Sequence, residues 1–360
     1  LATGNPPDRY VRLLNNLRDR FQFRELSALL KVAGLPHGGG WDKLLDKLRE
    51  ADASVISNVE RMIGNLYSDI VIAGTKDIFV YPLDQVQTEA LHAALTGIEV
   101  SQSSYQDSYP FPLSPTQLAN ESTDHKLVKK VTHSNGDISL ILCAKRSEEE
   151  RTSYQYNEVT EAVKMAFDGF DEFVTIKRSN YQVFDVVNLR KSLHRIEVLV
   201  DQPTKLRPPE TNEKRGVAIL GRLAHYSDVL QAIYHANTPL NLAPCISGLY
   251  LAKREGRVSH LSFRTPTGLV NRGAKASEDL RVDAFIQGGI DIVGEVTPYD
   301  VTVAWDSIIN VTGAVSVQVG MPISGLATDS FHVRHARIID ARGDNAVTVV
   351  VNKLVSYASN

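Results

Sequence analysis

The chain has 360 residues, 43% hydrophobic and 22% charged, with 39 Lys/Arg against 42 Asp/Glu and a net charge of −3. That much apolar material can bury real cores and excludes wholesale disorder, while at roughly 150 residues per domain the length suits two or three domains. The near balance of charge excludes a global basic field, so any hold on a polyanion has to be local.

Cys143 and Cys245 are the only two cysteines. Far apart and each set in an apolar run, they form neither a disulfide framework nor a zinc knuckle, and they read as buried thiols in a reducing compartment. No apolar stretch approaches the roughly 18 residues a membrane span needs. The segment LATGNPPDRY has no basic stretch followed by an apolar core, so no signal peptide is expected there. These features suggest a cytoplasmic protein with no membrane partner.

In chain order, residues 8–67 read as four short amphipathic helices. Tyr10, Leu13, Leu14 and Leu17 make the first stripe, spaced i, i+3, i+4, i+7. The second helix runs from about Phe23 to Ala33 with Leu26, Leu29 and Leu30 on one face, and Gly34 stops it. A glycine-rich turn from His37 to Gly40 precedes a third helix, Trp41 to Glu50, which packs Leu44, Leu45 and Leu48. Ile56, Val59, Ile63 and Leu66 mark the fourth. Residues 1–68 are therefore expected to form a compact helical bundle.

The pattern changes after Asp69. DIVIAGTKDIFVYPL suggests two strands around Gly74-Thr75-Lys76, followed by a helix from Asp84 to Thr96 and a long loop over residues 101–123. KKVTHSNGDISLILCAK is a hairpin signature, because Asn135-Gly136 suits positive φ at both turn positions. A helix over Asn157 to Phe167 and strands at Phe173 to Lys177, Tyr181 to Val187 and Arg195 to Val200 complete a mixed α/β domain, residues 69–202. PTKLRPPETNEKR, residues 203–215, has the composition of a linker. The C-terminal domain, residues 216–360, opens with a helix over Val217 to His235 and continues mostly as strand. Its expected strands include a hairpin around Glu255-Gly256, then Leu280 to Ile286, Val301 to Trp305, Val315 to Val319, Val333 to Asp340 and Val347 to Val355. The expected class is α+β: an N-terminal helical bundle, a mixed α/β domain and a strand-rich C-terminal domain with one leading helix.

The strongest functional signal is FQFRELSALLKVAGLPHGGGWDKLLDKLRE, residues 21–50. Pro36 keeps the first helix from continuing, and the glycines leave amides exposed at the next helix start, where a phosphate can bind. Candidate contact residues are Arg24, Lys31, Gly38, Gly39, Gly40, Trp41, Lys43 and Lys47. Residues 1–50 hold nine Lys/Arg against six Asp/Glu, a local balance of +3. The segment resembles the SAP motif, a helix-turn-helix module of DNA- and chromatin-associated proteins, through Phe21, Phe23, Leu26, Leu30, Gly34-Leu35-Pro36, Leu44, Leu45 and Leu48. It departs at Trp41, where that family usually has a basic or small polar residue. The bundle also resembles the death-fold-like, effector-associated adaptor domains of bacterial conflict systems, carried by DRYVRLLNNLRDRF and RELSALL. The SAP resemblance implies nucleic-acid contact and the second implies a protein partner; a third alternative is a structural cap on the body. The expected function is a non-enzymatic binding or assembly protein, needing no cofactor, whose N-terminal module recruits nucleic acid, another protein or a second copy.

Catalytic patterns are sparse. No P-loop, dinucleotide fingerprint or G-x-S-x-G is present. His332 and His335 form H-x-x-H, but on a strand such residues point to opposite faces. A metal-dependent nuclease is the alternative from another class. It would bring Asp137, Asp171 and Glu172 to a divalent ion, with Lys177 near the attacking water. The loop SYQDSYPFPL offers Tyr105, Tyr109 and Phe111 either as a contact surface or as rings packed on the body.

Overall fold

The computed structural model describes residues 6–203, 212–275, 277–307, 313–328 and 331–359. Four helices come first: α1 (Pro6–Arg18), α2 (Phe23–Val32), α3 (Trp41–Arg49) and α4 (Ala53–Ile72). The apolar stripes fall where their spacing requires. Leu13, Leu14, Leu17, Leu26, Leu30, Leu44 and Leu48 are all buried in one core. One boundary differs from expectation. Residues 69–72 belong to α4 and not to a strand, because Ile70 and Val71 extend the buried stripe of Ile63, Leu66 and Tyr67. Gly74, at φ +34, ends the helix; a Cβ there would stand 2.5 Å from the Ile70 carbonyl oxygen. The expected hairpin turn is thus a helix-to-strand switch.

The rest of the chain builds one ten-stranded sheet in the order β2-β3-β4-β5-β1-β10-β9-β8-β6-β7. Its strands are β1 (Gly74–Pro82), β2 (Lys126–Thr132), β3 (Ile138–Gln155), β4 (Glu172–Arg190), β5 (Arg195–Asp201), β6 (Arg257–Arg264), β7 (Val270–Ala274), β8 (Thr297–Trp305), β9 (Val315–Gly320) and β10 (Ala336–Ala341). Every neighbouring pair is antiparallel. Strand β1 pairs β5 on one side and β10 on the other, so the sheet runs unbroken from residues 69–202 into residues 216–360. Residues 204–211 of the expected linker lie outside the described residues, and 212–215 open a helix.

Strand alternation sends successive side chains to opposite faces. Ile78, Val80, Ile141, Cys143, Phe184 and Leu199 join the core of the helical bundle. The opposite face of the same strands carries Phe79, Tyr81, Leu140, Leu142, Val187 and Val198. It is covered by α5 (Gln85–Thr96), α9 (Asn212–Leu223) and α10 (Asp228–Ala236). On the far half, Val301, Val303, Val317 and Ile338 pack with α11 (Ala243–Leu251) and α13 (Asp344–Ala358).

Several expected strands are helices. Val347 to Val355 lies within α13, whose buried residues Ala346, Val347, Val350, Val351 and Leu354 keep helical spacing. Low helix propensity costs a few tenths of a kcal/mol per valine, against about 1.5–3 kcal/mol for burying each large side chain, so burial decides. Leu280 to Ile286 forms a 3-10 turn and the start of α12 (Ala284–Val293). The supposed hairpin around Gly256 is instead α11 followed by β6, which pairs β7 and β8. The expected helix over 217–235 divides into α9 and α10, with Ser227 capping the second. The loop at 101–123 contains α6 (Ser104–Ser108) and α7 (Pro115–Asn120), and the helix expected over 157–167 shrinks to α8 (Glu161–Ala166). The strands expected at 173–177 and 181–187 fuse into β4, which pairs β3 from Ile138↔Leu189 to Gln155↔Glu172. Pairing with β2 stops at Cys143 and pairing with β5 at Val186. From Ser147 and Asn180 outward the two strands form an arm with mostly exposed faces.

Candidate functional site

Residues 23–49 form two helices joined by the turn the sequence suggested. Gly34 is left-handed at φ +69, the Gly34 amide donates to Lys31 O at 3.1 Å, and the Leu35 amide donates to Leu30 O at 2.9 Å. These two bonds close the end of α2. Gly38, Gly39 and Gly40 follow at φ +79, +83 and +99, a run only glycine adopts without strain. A Cβ at Gly38 or Gly40 would meet nothing within 4 Å, so the turn faces open space and not the sheet. Gly40 caps α3 without a side-chain acceptor.

The cations are arranged around this turn. The Lys43 stem lies against Gly39, where a Cβ would sit 2.8 Å from Lys43 Cδ. Lys47 Nζ donates to His37 O at 2.6 Å. Asp42 pairs with Arg18 at 3.3 Å and Asp46 with Arg49 at 2.8 Å, so both α3 carboxylates have partners of their own. Arg24 and Lys31 are exposed on α2. The Gly38 amide is already committed to Ser27 Oγ at 3.0 Å. Trp41 is half-buried, edge-on to Phe23 at 5.4 Å between ring centroids.

The nuclease residues do not converge. Asp137 is buried beside Arg190 and accepts the Lys191 amide at 2.9 Å. Glu172 pairs Gln155 at the opposite end of β3, about 55 Å away at 3.3 Å per residue. Lys177 faces Glu150 on the arm. Among the described residues, no group of three or more His, Cys, Asp or Glu is placed to hold a metal. His332 Nε2 lies 2.9 Å from Pro239 O, whereas His335 stacks on Phe79, so the H-x-x-H pair is divided. The aromatic loop packs on the body. Tyr105 is fully buried, and Phe111 stacks on Tyr67 at 5.7 Å. No helix among the described residues is long and apolar enough to cross a membrane.

Nothing in the local sequence patterns signals how many charges are buried. On the bundle face, Asp201 accepts from Lys76 Nζ at 2.7 Å, from Arg20 at 2.9 Å and from the Phe184 amide at 2.9 Å. On the opposite face, Asp185 meets His125 Nε2 at 2.8 Å and Arg215 at 3.7 Å, and accepts the Asp201 amide at 2.8 Å. Burial alone pushes the Asp185 carboxyl up, but the His125 hydrogen bond and the Arg215 charge hold it well below the usual range. A third cluster ties Arg190 to Glu197 at 2.8 Å and to Asp344 at 2.6 Å, linking β4 and β5 to α13.

Above Asp185 lies a cleft of about 690 Å³. Lys126 on β2, Lys145 and Arg146 on β3, and Arg215 and Arg222 on α9 line it. These residues come from three distant segments, and none belongs to a local motif. The available signal was Lys145-Arg146 closing the apolar run ISLILCA, which marks where the strand leaves the core. No protein-family model matches the chain, and no curated protein matches it.

Proposed function

We propose that the chain is a non-enzymatic binding protein whose N-terminal helical module recruits nucleic acid through phosphate contacts at the Gly38–Gly40 turn. One observation supports this above others. The turn faces open space at the start of a helix without a side-chain cap, and Lys43 and Lys47 flank it. A phosphate there meets the turn's amides beyond the committed Gly38, the positive end of the helix dipole and two ammonium groups. The α1 and α4 helices bury their apolar stripes in a core shared with the sheet. The α2–α3 turn differs from them in presenting open backbone with lysines beside it, which makes it the recruiting surface. The sheet serves as the frame that holds the module.

The test is an electrophoretic mobility shift of the full chain with duplex and single-stranded DNA across a salt series. Replacing Lys43→Glu together with Lys47→Glu should weaken binding by more than about tenfold and make it less salt-dependent by about two phosphate contacts. If neither DNA shifts at low salt, or the double variant binds as the parent does, the proposal fails.

A further inference from the structure

The cations of the cleft over Asp185 differ from every other buried or half-buried cation cluster described above. In the other two clusters, carboxylates do the neutralising: Arg190 faces Glu197 and Asp344, and Lys76 and Arg20 share Asp201. In the cleft Arg215 faces Asp185 and Arg146 lies 3.1 Å from His125 Nε2, but Lys145, Arg146 and Arg222 donate to neutral backbone carbonyls. Lys145 Nζ donates to Ala119 O at 2.9 Å, Arg146 to Thr123 O at 2.7 Å, and Arg222 Nε to His125 O at 3.1 Å. Carbonyls fix the position of these groups and leave their full charge in place. None of Lys126, Lys145, Arg146 or Arg222 pairs with a carboxylate among the described residues. Asp185 is engaged by His125 and Arg215, and Asp124 is the one carboxylate on the cleft's own lining.

Two further polar atoms beside the cleft lack a partner. Tyr181 Oη and Arg146 Nε are buried and have no hydrogen bond among the described residues. Both residues line the cleft. Buried donors are rarely left unpaired in native proteins. The volume falls inside the range of small-molecule sites, about 300–1,000 Å³, and suits a nucleotide more closely than a single inorganic ion. Thr123 and Ser147 add hydroxyls that can orient such a ligand.

We propose that this cleft binds a small phosphate-bearing ligand of nucleotide size, held by Lys126, Lys145, Arg146 and Arg222. Lysine and arginine are suited to phosphate oxygens. The site is separate from the glycine turn and does not depend on what that turn recruits.

Isothermal titration calorimetry of the full chain with inorganic pyrophosphate, and separately with ADP, tests the proposal. At low ionic strength at least one probe should bind saturably with one site per chain. Lys145→Ala and Arg222→Ala should each weaken it by about tenfold or more, with far-UV circular dichroism unchanged. Arg178→Ala, whose partner Glu149 lies on the exposed arm, should bind as the parent does. The Lys43→Glu, Lys47→Glu variant should also bind as the parent does, which separates this site from the recruiting turn. Tighter binding of ADP than of pyrophosphate would place the nucleoside in the cleft as well. Absence of saturable binding by both probes up to millimolar concentration overturns the proposal, as does parent-like affinity in both cleft variants.

Discussion

Asp201 lies where the turn after α1 meets β1, β4 and β5. Its carboxylate faces two cations, Lys76 and Arg20; Lys76 and Asp201 are fully buried and Arg20 nearly so. Removing one partner of a buried ion pair strands the other, at a cost of about 3–5 kcal/mol. Asp201→Asn should therefore lower stability by about that much, read as a fall in the urea midpoint. The pH dependence follows from the same groups. The Asp185 and Asp201 carboxyls titrate below the unfolded value near 4, although burial alone would raise both; for Asp185 the opposing causes are chiefly His125 and Arg215, and for Asp201 they are Arg20 and Lys76. As the pH falls through that range the unfolded chain takes up protons first. Their contribution is thus complete above about pH 5 and drains away toward pH 3 and below. Urea melts at pH 7, 5 and 3 should show the loss on the last step, and equal midpoints at pH 7 and 3 would contradict it.

Elements were legible from sequence where one local rule settled them. The stripes of α1 to α3, the existence of the hairpin at Asn135-Gly136 and the capped helix α5 needed only local spacing and capping, although the hairpin turn is not the expected one: only Gly136 has positive φ, and the loop spans residues 133–137 between Thr132 and Ile138. The failures have a common cause. Valine-rich α13 carries strand propensity and helical burial, and the burial comes from residues far along the chain. The α4–β1 junction failed differently, since Gly74 fits either a turn or a helix stop. Its role can be measured. Gly74→Ala places a methyl against the Ile70 carbonyl at an unfavourable φ and should cost about 1–3 kcal/mol. Thermal unfolding followed at 222 nm would report it, and an unchanged midpoint would mean the junction relaxes freely. The β3–β4 arm was invisible as a unit because its charged residues read as strand ends with solvated faces. Residues 147–180 hold eight acidic and four basic residues, a balance of −4. The arm is therefore a poor surface for a polyanion, unlike the cleft at its base.

At the scale of the molecule, the bundle is fastened to the sheet by more than apolar contact. Arg342 pairs with Glu25 and lies over the Phe21 ring at 4.9 Å, while Arg20 reaches Asp201. The central pair β1–β10 joins the two halves of the sheet. Separating them exposes a full strand edge on each side, together with the apolar faces those strands share. Segments 69–202 and 216–360, expressed apart, should therefore fail to reach the native fold. A well-dispersed amide spectrum from either one alone would refute this.

The sequence by itself determined the α+β class, the helical start, most strand positions and the glycine turn. Each of those depends on neighbours within a few residues. Only the tertiary structure decided that one sheet spans the body, that Val347 to Val355 is helical, and that five cations from three segments line one cleft. Those outcomes depend on which distant surfaces meet, and local periodicity carries no term for that.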